Sequence, residues 1–186
     1  SDLPNGIKHS FERIPAHIFE DEDVASVTLA EKIVSSINAS DGIFRLGLTT
    51  GSSPVSLYKE LVKCYQEGKV SFKRVEIFSI DEYYPAPADG QSRNRRLYEE
   101  LVSKIDIKPE NVHIPKLTEE FDSAYVSDFC ARYDTIASNL DLLVMGVGEK
   151  GQIGFNENGA SEQSRTRTVL LSYSSRKRQA RNFAGN

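Results

Sequence analysis

Residues 140–145 read LDLLVM, a nearly unbroken apolar run of the kind a strand carries when both faces of its sheet are covered. Such a strand needs parallel neighbours and helices on either side, and the chain supplies both by alternation. Between residues 23 and 38, Val27, Ala30, Ile33, Val34 and Ile37 recur at helical spacing. Phe44–Leu48 is a short, mostly apolar run between Gly42 and the turn-like TTGSSP, which predicts a strand. Pro54 then opens a helix with Tyr58, Leu61, Val62 and Tyr65 on one face. Residues 75–80 (VEIFSI) predict the next strand. Helices follow over residues 92–104 and 120–138, with ENVHIP as a short extended piece between them. Beyond LDLLVM the pattern predicts a Gly-rich loop, a strand over residues 168–173 and a basic helix over 174–182. Alternating β and α with buried strands is the pattern of an α/β fold, a doubly wound, mainly parallel sheet with helices on both faces (Rossmann-like). No repeat, low-complexity tract or linker interrupts it, so residues 1–186 are expected to form a single domain.

Hydrophobic residues at 39% and charged residues at 27% are the proportions of a soluble globular protein. No apolar run reaches the ~18 residues of a membrane span, and the N-terminal SDLPNGIKHSFERIP has no apolar signal core, so no membrane partner is expected. Cys64 and Cys130 sit in helix-like segments without metal-ligand spacing and read as reduced thiols, which places the protein in the cytoplasm with no metal. His9, His17 and His113 lie in no motif and read as surface or packing residues. The net charge of −4 is unevenly spread. From Gln163 onward there is no acid, while Arg165, Arg167, Arg176, Lys177, Arg178 and Arg181 contribute +6, leaving −10 on the preceding residues. A short basic segment on an acidic body suits a local anion site, or a solvated helix face, better than a nucleic-acid surface.

Ligands of doubly wound sheets bind beyond the carboxyl ends of the strands, and three polar clusters fall at such ends. The first is Thr49-Thr50-Gly51-Ser52-Ser53-Pro54, where backbone N–H groups at a helix start could cradle a phosphate. The alternative is an ordinary cap, with Ser52 or Ser53 bonding its own helix. The second is Asp81-Glu82, directly after a buried strand: either could be a general base, or the Asp could simply open a loop. The third is GVGEKG followed by QIGFNENG. Its GxGxxG spelling invites a dinucleotide reading, but the following residues are too rich in Gly and Asn to open a helix. The chain is also basic where that fingerprint needs an acid ~20 positions on. A Gly-rich active-site loop fits better, with Glu157 as a candidate acid or base.

These clusters, in this order, resemble the glucosamine-6-phosphate deaminase (isomerase) family from about Leu29 to the last residue. GLTTGSSPVSLYKELV resembles the family's phosphate loop and following helix, and IDEYY resembles its strand-end DEY motif. GVGEKGQIGFNENG, with SRTRTVLLS behind it, resembles the loop that carries the ring-opening group. The related 6-phosphogluconolactonases share the fold and the glycine loops, but the FNE triplet sides with the deaminases. The resemblance implies that Thr50, Gly51, Ser52, Ser53 and Arg181 hold the substrate phosphate. It implies that Asp81 moves a proton between C2 and C1 of the open-chain amino sugar, giving a ketose phosphate and ammonia, with no cofactor and no metal. Glu157 matches the glutamate that supports ring opening.

Two departures accompany the match. Lys150 stands where the family usually has Asp, and Gln152 where it has the ring-opening His; a Gln amide has no proton to exchange at neutral pH. The family's C-terminal strands, with a lysine that binds the phosphate, have no counterpart in this sequence. Either the sequence is shortened, or the sheet edge is incomplete and exposed, which would favour a homo-oligomer. The expectation is a glucosamine 6-phosphate deaminase/isomerase with an altered ring-opening site. The alternatives are an isomerase or lactonase for another phosphorylated sugar, and a non-catalytic sugar-phosphate sensor.

Overall fold

The structure, a computed structural model, describes residues 7–8 and 14–183, with the side chains of Ile7, Lys8, Asp89, Arg181 and Asn182 outside the described set. His9 lies outside the described residues. Near the N-terminus β1 (Ile7–Lys8) and β2 (His17–Ile18) form a small antiparallel ribbon. The main sheet is built from β3 (Phe44–Leu48), β4 (Val75–Ser79), β5 (Val112–His113) and β6 (Leu142–Leu143). All its pairings are parallel, in the order β5-β4-β3-β6.

Local chemistry starts the helices. In α1 (Glu22–Ala39) the Asp21 carboxylate accepts from Val24 N at 2.8 Å, and Glu22 and Asp23 place negative charge at the positive end of the helix dipole. Asp122 caps α4 (Ser123–Ile136) in the same way, accepting from Tyr125 N at 2.8 Å. No side chain caps α2 (Val55–Gln66), which begins behind Pro54. The i, i+3, i+4, i+7 set Ala30, Ile33, Val34 and Ile37 of α1 is buried with Leu57, Tyr58, Leu61 and Val62 of α2 against Phe44, Leu46, Leu48, Val75 and Ile77 of the sheet. Leu97 of α3 (Arg95–Glu100) closes this core. On the opposite face α4 crosses the strands. Its Tyr133 hydroxyl donates to the Ser79 carbonyl at 2.6 Å, and Arg45 Nη2 donates to the carbonyl of Ile136. Helices thus flank the parallel sheet on both faces. Among the described residues no helix is long and apolar enough to cross a membrane. Cys64 and Cys130 are free, and burial pushes both thiols above their ordinary pKa.

Three expected elements differ. Residues 168–172 form no strand; they run over the surface with Leu170 89% exposed, and the chain enters α5 (Tyr173–Gln179) behind the cap Ser172. A strand needs a neighbour for its N–H and C=O groups, and this segment is held instead by side chains at its two ends, Asp134 on Thr166 and Glu157 on Ser172. The helix expected over 92–104 shrinks to α3 and a 3-10 turn at Val102–Lys104, because residues 92–94 are drawn into bonds with Glu82. The basic helix ends at Gln179 and continues as a 3-10 turn, Ala180–Phe183.

Candidate anion-binding active site

Register brings the first two polar clusters together. Leu48 pairs with Ser79 at the carboxyl ends of β3 and β4. Two residues further on in each strand stand Thr50 and Asp81, both buried, and the Thr50 hydroxyl donates to Asp81 Oδ1 at 2.5 Å. The Tyr58 hydroxyl, from the first turns of α2, donates to the Thr49 carbonyl at 2.5 Å and fixes the loop between them. Burial pushes the Tyr58 phenol far above its ordinary pKa, so it stays a donor. Gly51 has φ +84, a left-handed turn that suits glycine, and its N–H donates to the Arg93 carbonyl at 3.4 Å.

Asp81 and Glu82 take different parts. Glu82 is an organiser: its carboxylate accepts from Ser92 Oγ, from Arg93 N at 2.9 Å, from Tyr83 N at 2.8 Å and from Asn94 Nδ2 at 2.9 Å. Asn94 also donates to the Asp81 carbonyl at 2.9 Å, so the 92–94 turn is fastened to the end of β4 at several points. This turn presents Arg93 to Asp81, with Nε 3.4 Å from Oδ1 and Nη2 3.5 Å from Oδ2.

The Gly-rich loop completes the floor. No helix follows GxGxxG; the segment turns on itself through isolated bridges between Val147, Ile153 and Asn156. Gly154 has φ +56, and a Cβ there would stand 2.8 Å from Asp81 Oδ2, so a glycine is required for the loop to lie on the carboxylate. Gln152 folds back on Gly148, and its Oε1 accepts from Lys150 N at 3.0 Å. The Lys150 ammonium donates to Ser174 Oγ at 3.1 Å. Glu157 is turned away from Gln152 toward the start of α5. It accepts from Ser175 Oγ, from Ser172 N at 2.7 Å and from Ser172 Oγ at 3.0 Å. Ser175 first, then the Ser172 N–H, holds its carboxyl below the usual carboxylate range.

Above this floor lies a pocket of about 430 Å³ walled by Thr50, Gly51, Ser52 and Ser53, by Gln152, and by the guanidinium-bearing Arg93, Arg95, Arg96 and Arg178. Among the described residues no carboxylate lines it. The loop entering α2 forms one wall, beside the positive end of that helix's dipole, with the Gly51 N–H already given to the Arg93 carbonyl and the Val55 N–H to the Ser52 carbonyl. Such a wall attracts a small dianion. Of the residues expected from sequence, Thr50, Gly51, Ser52, Ser53 and Gln152 share this pocket, whereas Asp81 lies behind its wall under Arg93 and lines a second cavity with Glu82, Tyr83 and Phe155. Glu157 is spent on α5, and the side chain of Arg181 lies outside the described set. Sequence reading missed Arg93, Arg95 and Arg96. Their one signal was the dense RNRR spelling ten residues beyond the DEY motif, and it was absorbed into an expected helix.

A family model described as glucosamine-6-phosphate isomerases/6-phosphogluconolactonase matches residues 20–181. The chain is 39% identical over 145 residues to glucosamine-6-phosphate deaminase 2 of Bacillus subtilis, covering 76% of this chain and 57% of that protein. It is 39% identical over 173 residues to glucosamine-6-phosphate isomerase of Candida albicans, covering 91% of this chain and 68% of that one. The chain therefore spans between about half and two thirds of the length of the curated relatives it matches. A solved structure described as a monomeric glucosamine-6-phosphate deaminase superposes with a TM-score of 0.79 at 28% identity, over 88% of this chain and 68% of that one. The 6-phosphogluconolactonase of Thermotoga maritima shares the fold, with a TM-score of 0.57 at 24% identity over 72% of this chain and 58% of that one.

Proposed function

The chain belongs to the glucosamine-6-phosphate isomerase/6-phosphogluconolactonase family, and from that premise we propose that it acts on glucosamine 6-phosphate, giving fructose 6-phosphate and ammonia. The observation that carries this reading is Asp81, a carboxylate at a strand end, set behind the wall of a pocket of sugar-phosphate size whose charged lining residues are all arginines. Thr50, Gly51, Ser52 and Ser53 hold the phosphate, with Arg95, Arg96 and Arg178 around it. Asp81 takes the C2 proton of the open-chain amino sugar and returns it at C1, and water replaces the nitrogen at C2 so that ammonia leaves. Thr50 keeps Asp81 aimed. Neither step uses a cofactor. The partner is a free cytosolic sugar phosphate.

The ring-opening site departs from that of the family. A Gln152 amide that faces the pocket and folds onto Gly148 can hydrogen-bond a ring oxygen but cannot pass it a proton. Lys150 lies on Ser174, and Glu157 supports α5 rather than Gln152. This favours a second reading in which the substrate is a phosphorylated sugar presented already open, or a phosphorylated lactone.

Ammonia release from glucosamine 6-phosphate tests the first reading. Robust release supports it. Binding without release, together with faster turnover of an open-chain phosphosugar, moves the assignment to the second. Replacing Gln152→His with Lys150→Asp should raise the rate on the ring form if the ring-opening step is limiting.

A further inference from the structure

We propose that Arg93 is a latch on Asp81, released when an anionic oxygen of the phosphate class enters the adjoining pocket. The inference rests on Asp81 being the base of the proposed reaction. Asp81 is only 9% exposed, and each of its carboxylate oxygens already has a neighbour. Thr50 Oγ1 and Arg93 Nε lie on Oδ1, while Arg93 Nη2 and the Gly154 backbone lie beside Oδ2. Thr50, Arg93 and Gly154 line the pocket while Asp81 behind them does not, so a substrate carbon held in that pocket meets the guanidinium before the carboxylate.

Arg93 is built to move at its head and nowhere else. Its backbone is fixed at both ends, N to Glu82 Oε1 at 2.9 Å and carbonyl to Gly51 N at 3.4 Å. The guanidinium, by contrast, is shared among long contacts. It lies 3.4 and 3.5 Å from the Asp81 oxygens and 3.5 Å from Gln179 Oε1, with Cζ 4.7 Å over the Phe155 ring. Charge-assisted bonds normally close to about 2.7–2.9 Å, as Arg45 does on Glu76 at 2.7 Å. Arg93 therefore holds Asp81 loosely.

The competing site is one side-chain swing away. Arg93 itself walls the pocket, and Nη1 would lie 3.3 Å from a Cβ placed on Gly51, so the head already borders the phosphate loop. A phosphate offers a guanidinium two parallel bonds and more negative charge than one carboxylate. Occupying the pocket draws the head off Asp81 and opens the base toward the phosphorylated ligand that lies there. The latch thus makes the phosphate a condition for proton transfer as well as a handle for binding. Glucosamine without phosphate should remain unreacted even where it saturates the protein.

The test is the rate at which a water-soluble carbodiimide with an amine couples to Asp81, read by peptide mass spectrometry on the full chain. Exposed Asp128 of α4, which does not line the pocket, serves as the internal reference for reagent consumption. Saturating inorganic phosphate should speed Asp81 labelling of the wild type about fivefold or more, the lower end of usual coupling between two sites. Arg93→Ala should label fast with or without phosphate, and Arg93→Lys should label fast in its absence. A wild-type rate that phosphate leaves unchanged would overturn the latch, and would decide alone if the variants failed to fold. Slow labelling of a folded Arg93→Ala would overturn it as well. Phosphate-dependent labelling without any ammonia release would sink the deaminase reading and leave the latch standing.

Discussion

Thr50 and Asp81 meet at 2.5 Å, two residues past the last paired residues of adjacent parallel strands. This contact joins the loop that bounds the pocket to the carboxylate assigned as base. Asp81→Asn keeps the shape and removes the base, so ammonia release should fall by about 10²–10⁴-fold, the usual worth of general base catalysis. Binding of glucosamine 6-phosphate, measured by calorimetry, should stay within severalfold of wild type. Turnover unchanged in that variant would show that another group takes the proton.

Gly154→Ala should damage the site beyond its effect on stability. The left-handed backbone costs a β-carbon roughly 1–2 kcal/mol, and the new carbon would also press on Asp81 Oδ2 from 2.8 Å. Gly68→Ala is the matched control, since Gly68 has φ +71 and nothing within 4 Å of the added carbon. Gly154→Ala should lose more melting temperature than Gly68→Ala, and it alone should also lose most turnover. Equal activity in the two would contradict the close approach.

Glu157 should prove an anchor for α5. Its carboxyl is held below the ordinary range by Ser175 and Ser172, so the stabilisation is fully present above the unfolded value of about 4.3. It is lost as pH falls through the lower folded value. Glu157→Gln should speed amide hydrogen exchange across Tyr173–Gln179 at neutral pH and remove the acid-dependent part of that loosening. Exchange there that matches wild type at every pH would return Glu157 to a role in the Gly-rich loop.

His113 gives a second pH dependence with the same sign. It stacks on Phe78 with ring centroids 4.6 Å apart, and burial lowers its pKa, with Arg45 adding to the shift and Glu76 opposing it. The folded protein therefore favours the neutral ring, while the unfolded chain takes up a proton as pH falls below about 6.5. Stability should be complete above that value and decline as pH falls through the folded pKa. Urea unfolding from about pH 8 to about pH 5 should show a shallower decline for His113→Asn. An identical slope would assign the dependence to other groups.

Much of the architecture was legible because periodicity and apolar runs are local signals. The spacing of Ala30, Ile33, Val34 and Ile37 predicts α1, and the runs at Phe44–Leu48 and residues 75–79 predict β3 and β4, since burial on both faces leaves few other sequences possible. Residues 168–172 misled for the same reason: VLL has strand composition, but a ladder needs a neighbour, which composition does not supply. Glu157, expected to support the ring-opening position, shows the same limit, because what its carboxylate does depends on which partners the fold brings to it, here Ser172 and Ser175.

Local sequence limits which chemistry could be present: a Gly- and Ser-rich segment between a strand and a helix, a carboxylate pair after the next strand, and a glycine loop without a titratable group at Gln152. These are properties of residue type and short spacing. How the two acids of Asp81-Glu82 divide the work, and that Arg93, twelve residues on, stands over one of them, are matters of long-range contact. That division follows from parallel register and from the 92–94 turn folding back onto β4. Both are contacts between segments that no local pattern encodes, and they settle which charges meet and which face a ligand.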